Sequence, residues 1–126
     1  MPWRSLLVAT AVFEVGTGLG LLLLPAVVLD LLIGVGQPAP EAVFVGRVAG
    51  AALLALGVAS WLERREPAPG GLIAGLLVYN ATVAGLLVYA GLGLDMAGVA
   101  LSPAVALHAA MAAWCLVGLG FPRRSG

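Results

Sequence analysis

The chain has 126 residues, of which 62% are hydrophobic and 10% are charged, with a formal net charge of zero and a mean hydropathy of +1.11. Soluble domains are roughly half apolar and a quarter charged, so this composition excludes an ordinary water-soluble protein. Zero net charge supplies no basic field for a nucleic-acid partner. With one cysteine and one histidine, we expect no disulfide, no C-x-x-C redox pair and no zinc site.

Four segments are long and apolar enough to cross a bilayer, which takes about 20 residues per helix. In chain order they are Ser5–Leu24, Ala42–Leu62, Gly71–Gly91 and Ser102–Gly120. Glycine, proline and charged residues lie between these four segments and interrupt the apolar pattern, which is typical of turns. The sequence therefore predicts an all-α membrane protein, with residues 1–126 forming a single four-transmembrane-helix bundle.

Pro25 marks the predicted end of the first spanning helix. A helix that continued from Ser5 to Ile33 would measure about 43 Å, which exceeds the roughly 30 Å hydrocarbon core. Proline also removes a helical hydrogen bond and ends or kinks the helix that contains it. The following segment, Ala26–Ile33 with Asp30 inside it, is predicted to lie along the outer interface.

The distribution of arginine predicts the orientation. Arginines flank the spans on one side of a four-span topology, at Arg4, Arg64, Arg65, Arg123 and Arg124. The opposite loops carry only acidic charges, at Asp30, Glu41 and Asp95. Aromatic residues lie near the arginine side, at Trp3, Trp61 and Phe121. By the positive-inside rule we expect a multi-pass protein of the bacterial inner membrane with both termini in the cytoplasm.

Small residues recur four positions apart on the predicted helices, a spacing that lets helix backbones approach closely. They are Gly16 and Gly20, Gly46 and Gly50, Gly71 and Gly75, and the group Ala106, Ala109, Ala110 and Ala113. We interpret them as packing inside the bundle, and a face for a homo-oligomer is the alternative. Gly18 and Gly50, which follow polar residues on their helices, are predicted to border a small cavity.

An internal duplication is a further interpretation. At an offset of 65 residues, Thr17 falls on Thr82 and Asp30 falls on Asp95, with glycine and leucine matches between them. Repeats related by an axis along the membrane normal are known in membrane proteins. In so apolar a chain such matches also arise without duplication, so both explanations stay open.

Each predicted span carries one strongly polar residue away from its ends, namely Glu14, Arg47, Asn80 or His108. An ionisable group in hydrocarbon costs at least ~2.5–3.5 kcal/mol, so it normally faces a partner or a hydrated cavity. Counted at 1.5 Å per residue, the four fall in one slab near the membrane midplane. We therefore predict that Glu14, Asn80 and His108 converge inside the bundle, with Arg47 at the outer edge. Tyr79 joins them if its edge of the helix faces inward.

These polar residues have two interpretations. They either satisfy one another as structural contacts or form a site for a ligand or a proton. Polar contacts between membrane helices average only ~0.6 kcal/mol, which is less than the insertion cost and favours the site. Arg47 is compatible with an ion pair to Glu14 or with a side chain that extends to the outer interface.

Four segments together resemble a family of small uncharacterised bacterial four-helix membrane proteins. They are Glu14–Pro25, Gly46–Trp61, Tyr79-Asn80 and Pro103–Ala109. The chain is also similar in size and hydropathy to DoxX-like membrane proteins, some of which are associated with quinone-linked oxidoreductases. The resemblance implies that Glu14, Arg47, Asn80 and His108 belong to the motifs of the family, and it implies no activity.

The leading hypothesis is binding of a small amphipathic ligand, quinone-like or lipid-like, by five residues of the polar slab. They are Glu14, Arg47, Tyr79, Asn80 and His108. The alternatives are an accessory subunit of a larger membrane complex and a proton-coupled transporter of small molecules. The sequence contains no legible catalytic triad or carboxylate pair, so it favours a non-enzymatic protein and identifies no cofactor.

The orientation predicts which engineered cysteines can be reached from outside intact cells. Gln37→Cys and Asp95→Cys should be labelled by a membrane-impermeant thiol reagent, because both loops are expected on the periplasmic side. Arg65→Cys should stay unlabelled until the membrane is opened. Labelling of Arg65→Cys in intact cells would overturn the orientation.

Overall fold

A computed structural model describes residues 2–120 of the protein, with side chains from residue 3 onward. Within that range the chain forms five α-helices: α1 (Pro2–Leu23), α2 (Pro25–Ile33), α3 (Pro40–Glu63), α4 (Gly70–Gly93) and α5 (Leu101–Gly120). Over the same residues, α1, α3, α4 and α5 are long and apolar enough to span a membrane. The predicted helical bundle is thus confirmed, and it is compatible with an integral membrane protein. The predicted Phe121, Arg123 and Arg124 anchors lie outside the described residues.

The first spanning helix ends where the sequence predicts. Leu24 separates α1 from α2 with φ −133° and ψ 53°, and Pro25 is the first residue of α2. Proline suits that position because the first helical N–H needs no partner within the helix. The interruption is confined to one residue, since Leu24 N still donates to the Gly20 carbonyl at 2.7 Å. A continuous helix through Ile33 is therefore excluded.

α1 packs mainly against α3 in an antiparallel pair, and glycines let the two backbones touch. A Cβ atom at Gly18 would lie 2.7 Å from the Leu54 nitrogen and 2.8 Å from the Gly50 oxygen. A Cβ atom at Gly57 would lie 2.9 Å from the Val15 nitrogen. These distances are shorter than van der Waals contact allows. Gly18 and Gly50 therefore form the helix contact, and the prediction that they border a cavity is wrong.

The other small residues divide between the inside and the outside of the bundle. Gly46 is buried beside Leu21 and Leu29, as internal packing requires. A Cβ atom at Gly16, Gly71 or Gly75 would meet nothing within 4 Å. The alanines of α5 are exposed, at Ala106, Ala109, Ala110 and Ala113. Internal packing thus explains the α3 glycines, whereas most of the other small residues face outward.

α4 packs mainly against α5 and forms a second antiparallel pair, and the backbone of α1 approaches this pair mainly along α5. A buried apolar cluster connects these three helices. Its members are Leu6, Leu7, Ile73, Leu76, Met111 and Cys115. Leu6 and Leu7 belong to the first two turns of α1, so the cluster lies toward the end of the bundle where α1 begins. Met111 and Cys115 are accordingly packing residues.

The opposite end of the bundle is closed by α2 and the loop before α5. Gly34 ends α2 in the left-handed region, with φ 69°, and its N–H donates to the Asp30 carbonyl at 2.8 Å. This backbone conformation favours glycine. Ala100 N donates to the Leu31 carbonyl at 2.7 Å, so the loop before α5 provides a hydrogen-bond donor to a backbone carbonyl near the end of α2. A Cβ at Gly98 would collide with this same stretch of α2 backbone.

The backbone contact between α1 and α3 predicts a sharp difference between two neighbouring glycines. Gly18→Ala should destabilise the fold by about 1–3 kcal/mol, because the added methyl group collides with α3 backbone that cannot rotate away. Gly16→Ala is the matched control, since its methyl group enters open space, and it should change stability by less than about 0.5 kcal/mol. Reversible unfolding in mixed detergent micelles measures both. Equal effects would contradict the contact.

Candidate functional site

A hydrogen bond between Glu14 and Tyr79 connects the two helix pairs at mid-depth. Glu14 lies on α1 and is only 6% exposed. The Tyr79 hydroxyl, on α4, donates to Glu14 Oε2 at 3.2 Å. Tyr79 therefore faces inward, as its membership of the predicted site requires. The carboxyl group of α1 thus meets a neutral donor from the second helix pair.

Asn80 and His108 form the second polar contact, between α4 and α5. Asn80 Nδ2 donates to the Leu76 carbonyl at 2.9 Å, and Asn80 Oδ1 lies 2.8 Å from His108 Nδ1. Because the Leu76 carbonyl can only accept, the amide orientation is determined, and Oδ1 must accept from the imidazole. His108 Nδ1 therefore carries a proton. In the neutral imidazole Nε2 is then an acceptor, available to a further partner.

The two hydrogen bonds belong to one cluster because Tyr79 also contacts His108. Their rings meet edge to face, with centroids 5.6 Å apart and an interplanar angle of 81°. Aromatic rings favour this geometry. Asn80 is 1% exposed, whereas Tyr79 and His108 are half-buried. We call Glu14, Tyr79, Asn80 and His108 the polar cluster.

Arg47 is not brought into the polar cluster. Its side chain is exposed on α3, and in the described part of the chain no ion pair joins it to Glu14. The cause is the rotation of α3 about its axis. Gly46 and Gly50 are the residues that face α1 and α2, and Arg47 lies about 100° away from Gly46 around a helix of 3.6 residues per turn. Of the predicted site residues, the structure thus brings together all but this one.

Thr10 is a buried polar residue that our sequence reasoning missed. It is 0% exposed, and among the described residues its Oγ1 atom has no hydrogen-bond partner. Thr10 precedes Glu14 by four residues, so both lie on one face of α1. That spacing was the available signal. Ser60 is also fully buried, but its hydroxyl donates to the Leu56 carbonyl at 2.9 Å and is satisfied within α3.

The polar cluster retains unused hydrogen-bonding capacity. Within residues 2–120, the Tyr79 hydroxyl is the one hydrogen-bond partner of the Glu14 carboxyl group, so Oε1 is open to a second partner. His108 Nε2 and the lone pairs of the Tyr79 oxygen are open as well. Over the described chain, no three His, Cys, Asp or Glu side chains are grouped as metal ligands. The arrangement can therefore offer donors and acceptors, and a proton, to a molecule at mid-depth.

Comparison of the chain with protein-family models, with curated proteins and with solved structures found no match. The resemblance to DoxX-like membrane proteins thus stays a sequence-based expectation.

Removing the Tyr79 hydroxyl should destabilise the fold. Tyr79→Phe leaves a buried carboxyl group without its donor, which should cost about 1–3 kcal/mol in detergent unfolding. Tyr89→Phe is the matched control, because Tyr89 is exposed on the same helix and should change stability by less than about 0.5 kcal/mol.

The cost of Tyr79→Phe should depend on Glu14. In a Glu14→Leu background the substitution should become at least 0.5 kcal/mol less costly, within the range of about 0.5–3 kcal/mol seen for residues in contact. Additive effects of the two substitutions would show that the hydrogen bond does not form in the membrane protein.

Proposed function

We propose that the polar cluster binds a small amphipathic ligand, quinone-like or lipid-like, whose polar group meets Glu14, Tyr79 and His108. The observation that carries the proposal is the burial of the Glu14 carboxyl group opposite a neutral partner. A glutamine could accept the same hydrogen bond from Tyr79 without the risk of a buried charge. An acid at this depth is therefore expected to have a task that an amide cannot perform.

The open groups of the polar cluster match the chemistry of such a ligand. A protonated Glu14 donates to a carbonyl oxygen, and an ionised Glu14 accepts from a hydroxyl group. His108 Nε2 accepts from a hydroxyl group when the imidazole is neutral, because Asn80 already accepts from Nδ1. Carbonyl and hydroxyl oxygens attached to an apolar ring or chain thus find complementary partners. Asn80 orients the imidazole and is not itself a contact.

The position of the cluster suggests a route for the ligand. Tyr79 and His108 are half-buried, so part of each side chain stays accessible. An amphipathic molecule dissolved in the bilayer would approach these partly exposed rings sideways, with its apolar part remaining among the lipid chains. Arg47 lies outside this route, and we assign it no contact. The bacterial inner membrane with both termini cytoplasmic, as the arginine distribution predicts, completes the proposal.

A titration with quinone tests the proposal on the full-length protein in nanodiscs. A short-chain ubiquinone and its quinol should each bind with a measurable dissociation constant, read by microscale thermophoresis. Glu14→Gln and His108→Ala should each weaken binding of at least one of the two forms about tenfold, which corresponds to about 1.4 kcal/mol for a hydrogen bond to a buried group. Tyr89→Phe, outside the cluster, should leave the dissociation constant unchanged.

The alternatives predict different results in the same preparation. A transporter would carry substrate across proteoliposomes in response to a proton gradient, and Glu14→Gln would abolish the flux. An accessory subunit would co-purify with a defined membrane partner in native mass spectrometry. Ligand binding would be refuted if the wild-type protein bound neither quinone nor quinol in the titration and retained no lipid in native mass spectrometry.

A further inference from the structure

A second polar region lies at the end of the bundle where α1 begins and α3 ends, separate from the polar cluster. It is a cavity of about 310 Å³ lined by Trp3, Arg4, Arg64, Arg65 and Glu66. We call it the arginine cavity. Two structural elements supply the walls, the first turn of α1 and the segment that follows α3. The proposed ligand site at mid-depth uses none of these residues.

The lining of the arginine cavity carries an excess of positive charge. Three arginines and one glutamate, Glu66, line the cavity, so the lining carries a formal charge of +2. In the described residues no ion pair is formed by these arginines. Desolvation, followed by the charges of Arg65 and Arg4, lowers the pKa of Arg64 from its ordinary value. Arg65 and Arg4 therefore repel the charge of Arg64, and an anion between them would relieve the repulsion.

Two sets of contacts hold the walls of the cavity in place. Trp3 Nε1 donates to the Glu66 carbonyl at 3.3 Å, which ties the start of α1 to the loop after α3. The Arg64 guanidinium stacks on the Trp61 ring, 3.7 Å from its centroid, and donates to the Trp61 carbonyl. Stacking fixes the plane of a guanidinium group and leaves its remaining N–H donors free.

The geometry points to a binding site for a phosphate group in the arginine cavity. Guanidinium groups bind phosphate oxygens through paired, charge-assisted hydrogen bonds, and several arginines around one cavity suit a group with multiple anionic oxygens. Basic pockets beside membrane helices are suited to anionic lipid head groups. The phosphate can belong to an anionic phospholipid of the adjoining leaflet or to a soluble phosphate compound. The indole rings of Trp3 and Trp61 are typical of residues at the level of the head groups.

Lipid titrations followed by native mass spectrometry test the site on the full-length protein, freed of lipid in an uncharged detergent. Phosphatidylglycerol should bind at least tenfold more tightly than phosphatidylcholine with the same acyl chains, because the choline cation is repelled by the arginines. Arg4→Gln, Arg64→Gln and Arg65→Gln should each weaken phosphatidylglycerol binding about tenfold, as expected when a charge-assisted contact is lost. Arg47→Gln is the matched control and should change nothing, because it removes an exposed arginine near the other end of α3.

A substitution that strengthens phosphatidylglycerol binding would show that the weaker binding of the arginine variants does not come from misfolding. Glu66→Gln removes the carboxylate from the lining and should strengthen phosphatidylglycerol binding several-fold, which an unfolded protein cannot do. Glu41→Gln, an exposed acid at the other end of the bundle, should leave binding unchanged.

Competition with inorganic phosphate identifies the source of the phosphate group. If millimolar phosphate displaces phosphatidylglycerol and raises the Tm of the wild type but not of Arg64→Gln, a soluble phosphate compound is the ligand. If phosphate has neither effect while phosphatidylglycerol binds, the ligand is a lipid head group. Equal binding of the two lipids, or phosphatidylglycerol binding that is insensitive to all three arginine substitutions, would overturn the site.

Discussion

The cost of placing a carboxyl group in hydrocarbon is the constraint on which the arrangement of these helices depends. Glu14 lies near the middle of α1, too far from either end for its side chain to reach the head groups. It must therefore face another helix that offers a hydrogen-bond donor, and Tyr79 of α4 supplies one. This requirement sets the rotation of α1 about its axis. The residues one and two turns earlier, Thr10 and Leu6, are consequently turned toward the second helix pair and buried.

The other side of α1 packs closely against the glycines of α3. Gly18, Gly50 and Gly57 bring the two backbones into direct contact. Close packing of small residues is effective in lipid because it gains van der Waals contact without ordering long side chains. α1 thus has a polar partner on one side and a backbone partner on the other. The two helix pairs are held together by the packing of α1 on the second pair, by the hydrogen bond between Glu14 and Tyr79, and by the contact of α2 with the loop before α5.

The sequence predicted the features that depend on hydropathy and on depth along a helix. The spanning helices follow from runs of apolar residues, and the break at Pro25 follows from the missing N–H group of proline. Glu14, Asn80 and His108 were expected at one level, because the rise per residue of a helix is constant. Depth alone, however, does not determine the direction of a side chain. Arg47 has a suitable depth but points outward, because the glycines beside it determine which face of α3 packs against α1.

The same limit explains why the environment of Gly18 was predicted wrongly and why the burial of Thr10 was not predicted. Whether a glycine borders a cavity or a backbone depends on the distance between two helices, which a single helical pattern does not contain. The burial of Thr10 depends on where α4 and α5 lie, and these helices are more than 50 residues away in the chain. Arg4 and the Arg64–Arg65 pair were predicted to share one side of the membrane. Their convergence on one cavity depends on the packing of α1 against α3.

The contact between Glu14 and Tyr79 also bears on how such a chain can evolve. These residues are 65 positions apart, the same offset that aligns Thr17 with Thr82. In a symmetric dimer of an ancestor with two spanning helices, a residue can touch its own copy only on the two-fold axis, and the two residues are necessarily identical. Two glutamates there would repel, and two tyrosines would provide no acid. If the chain arose by duplication and fusion, joining the halves removed this identity, and one position became the acid while its counterpart became the neutral donor.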